Sequence, residues 1–560
     1  MSEIRYSRGM SPRQVAARGL SVMVIVTAFV LTDETVTRAG PLTPLAFFGA
    51  LVLLLVNLLG YVELAVSGRR WGSAYGHVHE AGDSWLGFFT GWASILSGMG
   101  LCALLARGFG VHVGMLFHDH LNVNLPAWLV AASLILLVAA NNAVGTREGR
   151  RGSVTASLVL IALLAGVTLL ALPRISLSNF RSGPRAWEQA IPVVLAAYAG
   201  LEITATLQNE MRDRARSAPL VLLLTPLLST LIAVVIAFVS LGVVGWGALS
   251  ASRSPLALLG SSMFGGAGRP LILGIGALAL ALAVNSAFVL VVRQTFTMAK
   301  DGYWPSGLFH IHRRFGTPLR IISLAAMALV ATGAVPPELL TQLTGLFYLM
   351  VLAGVNLALV FQSQSDESTF KLPFHPWIPG LALIIDVLVI SLWRPEALAW
   401  WAGCVAVGTV MFLSYARGHH IRAQEGVTVF KPATTKDERL AYQVLVPVAN
   451  PATAGTLLRL AGVLARQEGG EVVALQVVTV PDQVPLEEGR HRAAVGRVLL
   501  ERAMAQAKEE GFGIKTMTRV AHSVAEGILN TAREEDVDMI VLGWGGYTRS
   551  AGTSMGPIID

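Results

Sequence analysis

The sequence predicts an all-α membrane domain of about twelve transmembrane helices, followed by a C-terminal α/β domain on a doubly wound parallel sheet. Three observations predict it. Of 560 residues, 54% are hydrophobic and 14% charged, against about a quarter charged in a soluble domain. Apolar runs of about 18–25 residues, each able to cross a bilayer core, recur as far as residue 418. Beyond that point charges become frequent and the apolar runs shrink to the length of single strands.

The spans fall near 17–37, 43–67, 84–115, 126–145, 153–172, 189–208, 218–247, 270–299, 318–335, 338–362, 377–393 and 396–416. One set of intervening loops carries Arg69 and Arg70, then Arg147, Arg150 and Arg151, then Arg212, Arg214 and Arg216, then Lys300, Arg313, Arg314 and Arg320. The alternate loops carry few basic residues apart from Arg174, Arg181 and Arg185. The bias of Lys and Arg toward the cytoplasm then predicts an inner-membrane protein with both termini cytoplasmic. The basic N-terminus leads into an apolar stretch with no small-residue cleavage site, so the first helix is expected to be retained.

A net charge of +7 distributed over such loops points to lipid and excludes nucleic acid as a partner class. Cys102 and Cys404 both fall in apolar spans and read as small buried hydrophobes rather than a disulfide. His118-Asp119-His120 is an incomplete metal set, and no nucleophile–base constellation appears. The chain is expected not to be an enzyme and to need no cofactor.

Particular residues carry a family resemblance. Ala74-Tyr75 with Gly87-Phe88 and Gly91-Trp92 is similar to the opening of the third helix in amino acid–polyamine–organocation permeases. Tyr198-Ala199-Gly200-Leu201-Glu202, followed by Asn209-Glu210, resembles that family's sixth helix. Arg293, then Met298-Ala299-Lys300-Asp301-Gly302, Pro305 and Phe315-Gly316-Thr317-Pro318 resemble its loop after helix eight. The resemblance covers most of 15–418 and implies a LeuT-type fold of two inverted five-helix repeats, with helices one and six interrupted around a midplane substrate. Unwound backbone at that depth is tolerable only where it lines a cavity.

The resemblance places the substrate-binding candidates at Ile25, Val26 and Thr27 in helix one, at Ala197, Tyr198, Ala199, Gly200 and Glu202 in helix six, and at Asn285 and Ser286 in helix eight. Gly200 would supply backbone freedom and Tyr198 an aromatic wall, though close helix packing is the plainer role for both. Glu202 is either functional or a structural cap for freed N–H groups. In helix one, Ile25-Val26-Thr27 stands where the family has a glycine-x-glycine core, and β-branched residues resist unwinding. A shorter or tighter interruption and a narrower cavity are therefore expected. No ionisable residue stands between Ser153 and Leu172, which argues against a proton relay in helix five. Glu63 reads as half of a structural pair, Arg107 as a snorkelling or paired arginine, and Asp386 as a residue at a subunit contact.

The domain boundaries are expected at 1–418 for the transporter, 419–438 for a polar linker and 439–560 for the soluble domain. Residues 442–560 resemble the universal stress protein domain, whose nucleotide-binding members end in a glycine-rich phosphate loop. Gly543, Gly546 and Gly556 match that loop, but Pro557 offers neither a hydroxyl nor an amide. This disfavours ATP as a ligand and suggests a regulatory or assembly role. The expected function is alternating-access transport of a small organic solute, an amino acid or an amine. An ion transporter of the same fold and a transporter-like sensor or scaffold remain the alternatives, and a homodimer stays open.

Overall fold

A computed structural model describes residues 10–66, 73–80, 84–145, 150–181, 183–208, 211, 214–312, 315–361, 376–419, 427–430, 442–448, 451–479, 500, 513–521, 523–535 and 537–543. The chain divides into two compact units, one spanning Arg5–His420 and one formed mainly by Ile421–Asp560.

The helical unit starts with a capped helix. Ser11 accepts from the Gln14 N–H at 3.3 Å while the Gln14 side chain accepts from the Ser11 N–H at 3.0 Å, and Pro12 takes the first helical position. Helix α1 (Pro12–Val26) runs through a π turn (Thr27–Leu31) into α2 (Thr32–Ala39). Gly40 then turns the chain at φ +53°, against the Pro184 carbonyl, into α3 (Thr43–Val66). After the short α4 (Ala74–Glu80) come the long α5 (Ser84–Leu121), α6 (Ala127–Val144) and α7 (Arg150–Ala171). The sixth span is split into α8 (Ile191–Tyr198) and α9 (Leu201–Leu207). Helix α10 (Arg214–Val244) leads through the short α11 (Trp246–Ser250) and α12 (Pro255–Phe264) to α13 (Gly268–Lys300). The remaining spans are α14 (Leu319–Ala331), α15 (Pro337–Phe361), α16 (Trp377–Val389) and α17 (Pro395–Met411), which ends through a π turn in α18 (Arg417–His419).

Among the described residues, eight stretches are long and apolar enough to cross a membrane, and three shorter apolar helices accompany them. The first stretch, Pro12–Ala65, holds two helices separated at Gly40, so the chain is a multi-pass membrane protein. Burial sorts these spans into centre and periphery. Within Trp187–Leu207 94% of the apolar 18-residue window is buried, and within Pro395–His419 only 17%. The outer helices carry large exposed apolar side chains, among them Leu137, Ile384, Val387 and Val410, which is the pattern of a lipid-facing surface. Around the buried sixth span, α1 packs on α9 and α10, α8 on α3 and α15, and α5 on α13 and α15. Helices one and six, which open the two halves of the bundle, both carry mid-span interruptions, as the inverted-repeat fold requires.

The described residues of the second unit form a five-stranded sheet in the order β1 (Val427–Phe430), β4 (Ile514–Ala521), β3 (Glu471–Thr479), β2 (Gln443–Pro447) and β5 (Met539–Ile540). Strands β2 to β5 are parallel, while β1 pairs antiparallel with β4. Strand periodicity sends Val444, Val446, Val472 and Ala474 to one face, under α19 (Pro451–Gln467). Leu445, Val473, Leu475 and Met517 go to the other, with Ile528 of the helix Val524–Glu534. Two features were not anticipated. Strand β1 lies inside the stretch expected to be a polar linker, and β4 was passed over altogether.

Candidate functional site

The two interrupted helices meet at Gly200. A Cβ there would stand 2.8 Å from Met23 Cγ, so only glycine lets helix one approach this closely. The π turn of helix one packs on α8, and α1 packs on both halves of the sixth span. Ile25, Val26, Thr27, Ala197, Tyr198, Ala199, Gly200 and Glu202 are all buried there.

In helix six, Ala199 and Gly200 form a turn rather than an unwound stretch. Both keep right-handed helical angles, and the Gly200, Glu202 and Ile203 N–H groups donate three residues back, to Ala197, Ala199 and Gly200. The break is thus a tightening of the helix. Tyr198 turns its hydroxyl to Thr230 of α10, 2.7 Å away, and the Thr230 hydroxyl also donates to the Pro226 carbonyl of its own helix at 2.8 Å.

In helix one the interruption is a short bulge with helical backbone at both ends. Thr27 stays bonded, its N–H and hydroxyl both reaching the preceding turn, the hydroxyl to Met23 O at 2.7 Å. The chain then widens into the π turn, which shifts the hydrogen-bond ladder by one residue and loosens the carbonyls it passes. Three threonine hydroxyls hold that stretch together: Thr27, Thr32, which donates to Thr27 O at 2.7 Å, and Thr35, which donates to Leu31 O at 2.6 Å. β-Branched residues keep helical backbone angles here, so the helix bulges where glycines would have let it unwind.

Just beyond the helix-six turn lies a polar cluster in the buried interior. Glu202 Oε1 accepts from the Tyr61 hydroxyl at 3.1 Å, and the Ala74 N–H also points at this carboxylate. Tyr348 of α15 lies within electrostatic reach of Glu202 and Tyr198. Glu202 Oε2 and the Tyr348 hydroxyl are buried with no hydrogen-bond partner among the described residues. His77 of α4 meets the Tyr61 ring edge-on at 6.1 Å. A buried carboxylate with one free oxygen, ringed by tyrosine hydroxyls, can receive an ammonium group or a proton. Tyr61 and Tyr348 did not enter the sequence-based site. Their signal was a single tyrosine in each of two largely apolar spans.

The other candidates go elsewhere. Asn285 Oδ1 accepts from Asn142 of α6 at 2.8 Å, and the Ser286 hydroxyl is directed at Leu282 O of its own helix. Arg107 donates to Val335 O at 2.8 Å, and Asp119 pairs with Arg269 at 2.5 Å. Asp386, expected at a subunit contact, is instead buried within the chain against Asn57. Of the phosphate-loop glycines, Gly543 follows β5 and lies against Leu457, while Gly546, Gly556 and Pro557 lie outside the described residues.

Outside the spans, Tyr75 stacks on His79 and hydrogen-bonds Asp301, while His79 Nδ1 and the Tyr303 hydroxyl are 3.0 Å apart. Burial pushes both tyrosines well above the usual phenol range, with Asp301 adding to the effect, so they stay neutral donors. These contacts tie α4 to the segment after α13.

Known proteins match both units. Residues 11–418 match the model of the amino acid permease family, and residues 442–560 that of the universal stress protein family. The chain is 23% identical to the branched-chain amino acid permease BcaP of Bacillus subtilis (strain 168), over 72% of this chain and 91% of that one. It is 21% identical to the methylthioribose transporter of the same organism, over 74% and 95%. It is 25% identical to the low-affinity putrescine importer PlaP of Escherichia coli (strain K12), over 66% and 83%. With nearly three quarters of its length matched, by helices interrupted at the first and sixth spans, the chain belongs to the amino acid permease family.

Proposed function

We propose that this protein is a secondary active transporter of a small organic solute bearing an amino group, an amino acid or an amine, working by alternating access. One observation carries this reading: the free, buried Glu202 oxygen beside the helix-six turn offers an ammonium group a charged partner at the centre of the bundle. Relatives named for branched-chain amino acids, putrescine and methylthioribose support a small organic cargo. The substrate-binding set we assign is Ile25 to Thr27 with Ala197 to Gly200 and Glu202, joined by Tyr61 and Tyr348. The chain sits in the inner membrane with both termini cytoplasmic, and its soluble domain regulates or assembles the transporter.

Purified full-length protein is expected to gain thermal stability with one amino acid or amine from a panel, and proteoliposomes to accumulate the same compound, since a ligand for the folded state raises apparent stability. Stabilisation by inorganic ions alone would favour an ion transporter; no ligand and no uptake would favour a sensor. Titration of the full-length protein with ATP and magnesium is expected to give no micromolar binding, because Pro557 removes a donor from the phosphate loop.

A further inference from the structure

Helix α16 presents an otherwise apolar sequence, Trp377–Val389, with a single ionisable residue. Leu381, Ile384, Val387 and Leu388 point outward, while Pro379, Ala382 and Asp386 form the buried stripe against α3 and α15. A polar chain crosses three helices there. Asn57 Nδ2 of α3 donates to Asp386 Oδ1 at 2.8 Å, and Asn356 Nδ2 of α15 donates to Asn57 Oδ1 at 2.9 Å. Gly60 makes room for Asn356, whose Oδ1 would lie 2.4 Å from a Cβ at that position. Asp386 is 3% exposed and Asn356 0%, yet Asp386 Oδ2 and Asn356 Oδ1 have no hydrogen-bond partner among the described residues.

We infer that Asp386 is a proton-binding site, separate from the Glu202 region, whose bound proton keeps α16 seated on α3 and α15. An ionised carboxylate between lipid-facing helices needs a cationic partner or several donors. Among the described residues, Asp386 has one amide donor and no cationic partner. The ionisable groups on the helices packed against it are Tyr61 and Glu63 on α3 and Glu338 and Tyr348 on α15, with none other on α16. Tyr61 bonds to Glu202 and Glu338 pairs with Arg394, and none of the four bonds to Asp386 in the described structure. An alkali ion requires five or six oxygens, whereas the helix carbonyls around this site are committed to their own ladders. A proton removes the charge with no further ligand. Because α3 and α15 belong to the repeated bundle and α16 lies outside it, the proton's presence couples the two.

The full-length protein in lipid nanodiscs tests this. Infrared spectra at neutral pH are expected to show a protonated-carboxyl C=O band that disappears in Asp386→Asn and shifts in Asn57→Ala, which loses the hydrogen bond to that carboxyl. Asn resembles the protonated acid, so Asp386→Asn is also expected to hold its thermal stability as pH rises, while the wild type loses it. The sign follows from linkage: a proton held more tightly by the folded state stabilises at low pH, and that gain fades as it dissociates. Should Asp386→Asn fail to fold, the band shift in Asn57→Ala still assigns the carboxyl. Identical carboxyl bands in the wild type and both variants, or parallel stability profiles with pH, would overturn the inference.

Discussion

Helices one and six face the same problem in the middle of this membrane protein and solve it differently. Each must interrupt its hydrogen-bond ladder where water is scarce, and every freed group must find a partner. Helix six uses a small residue: Gly200 lets helix one come close, and short-range backbone bonds absorb the break. Helix one has no glycine at its interruption, so it widens, and threonine hydroxyls bond the carbonyls of the bulge. The difference teaches that a broken helix in a transporter does not require unwound backbone. It requires that the freed groups be counted and satisfied, by backbone in one place and by side chains in the other.

The largest expected effect sharpens the contrast, because helix six places a fully buried carboxylate, Glu202, just beyond its break. Glu202→Gln should raise the KM for a cationic substrate at least about thirtyfold in proteoliposome uptake, from loss of a charge partner worth about 2 kcal/mol or more. An unchanged KM would leave Glu202 a structural cap. Next comes Gly200→Val, whose branched side chain must displace Met23. Overpacking of this kind should cost about 1–3 kcal/mol, read as a fall in thermal midpoint that Met23→Ala partly restores. Smallest is Thr32→Val, which keeps the shape and removes one hydroxyl from the π turn. A single buried hydrogen bond predicts a loss of about 1 kcal/mol, with uptake retained. If Thr32→Val costs more than Gly200→Val, the side chains rather than the close approach hold the two helices together.

Much of this was legible in the sequence, for physical reasons that differ by region. Hydrophobic length gave the spans, since a bilayer demands long apolar helices, and the twelve expected segments correspond to the helices found. The two halves of helix six were expected from the family resemblance of Tyr198 to Glu202, and Gly200 also serves the close helix packing that was its plainer role. The π turn could not be read, since whether a β-branched stretch tightens or widens depends on which carbonyls neighbouring hydroxyls can reach. Tyr61 and Tyr348 were hidden because a tyrosine reads as another large apolar residue until its hydroxyl is placed. Strand β4 was missed because Lys515, Thr516, Thr518 and Arg519 disguise it, yet Thr516, Thr518 and Arg519 are buried. An apolar count cannot detect a strand whose inward faces are polar.

The antiparallel pairing of β1 with β4 carries a consequence for biosynthesis. Val427 lies beside Val520, so the first strand of the sheet to leave the ribosome waits roughly ninety residues for its partner. At about 5–20 residues per second, that is a delay of roughly 5–20 s with an unpaired strand. The parallel pair β2 and β3 is complete well before then, so β1 docks onto a sheet that is already half built. All the membrane spans precede it in the chain and are synthesised first. The edge strand, though earliest in its sheet, is therefore among the last parts of the molecule to find its place.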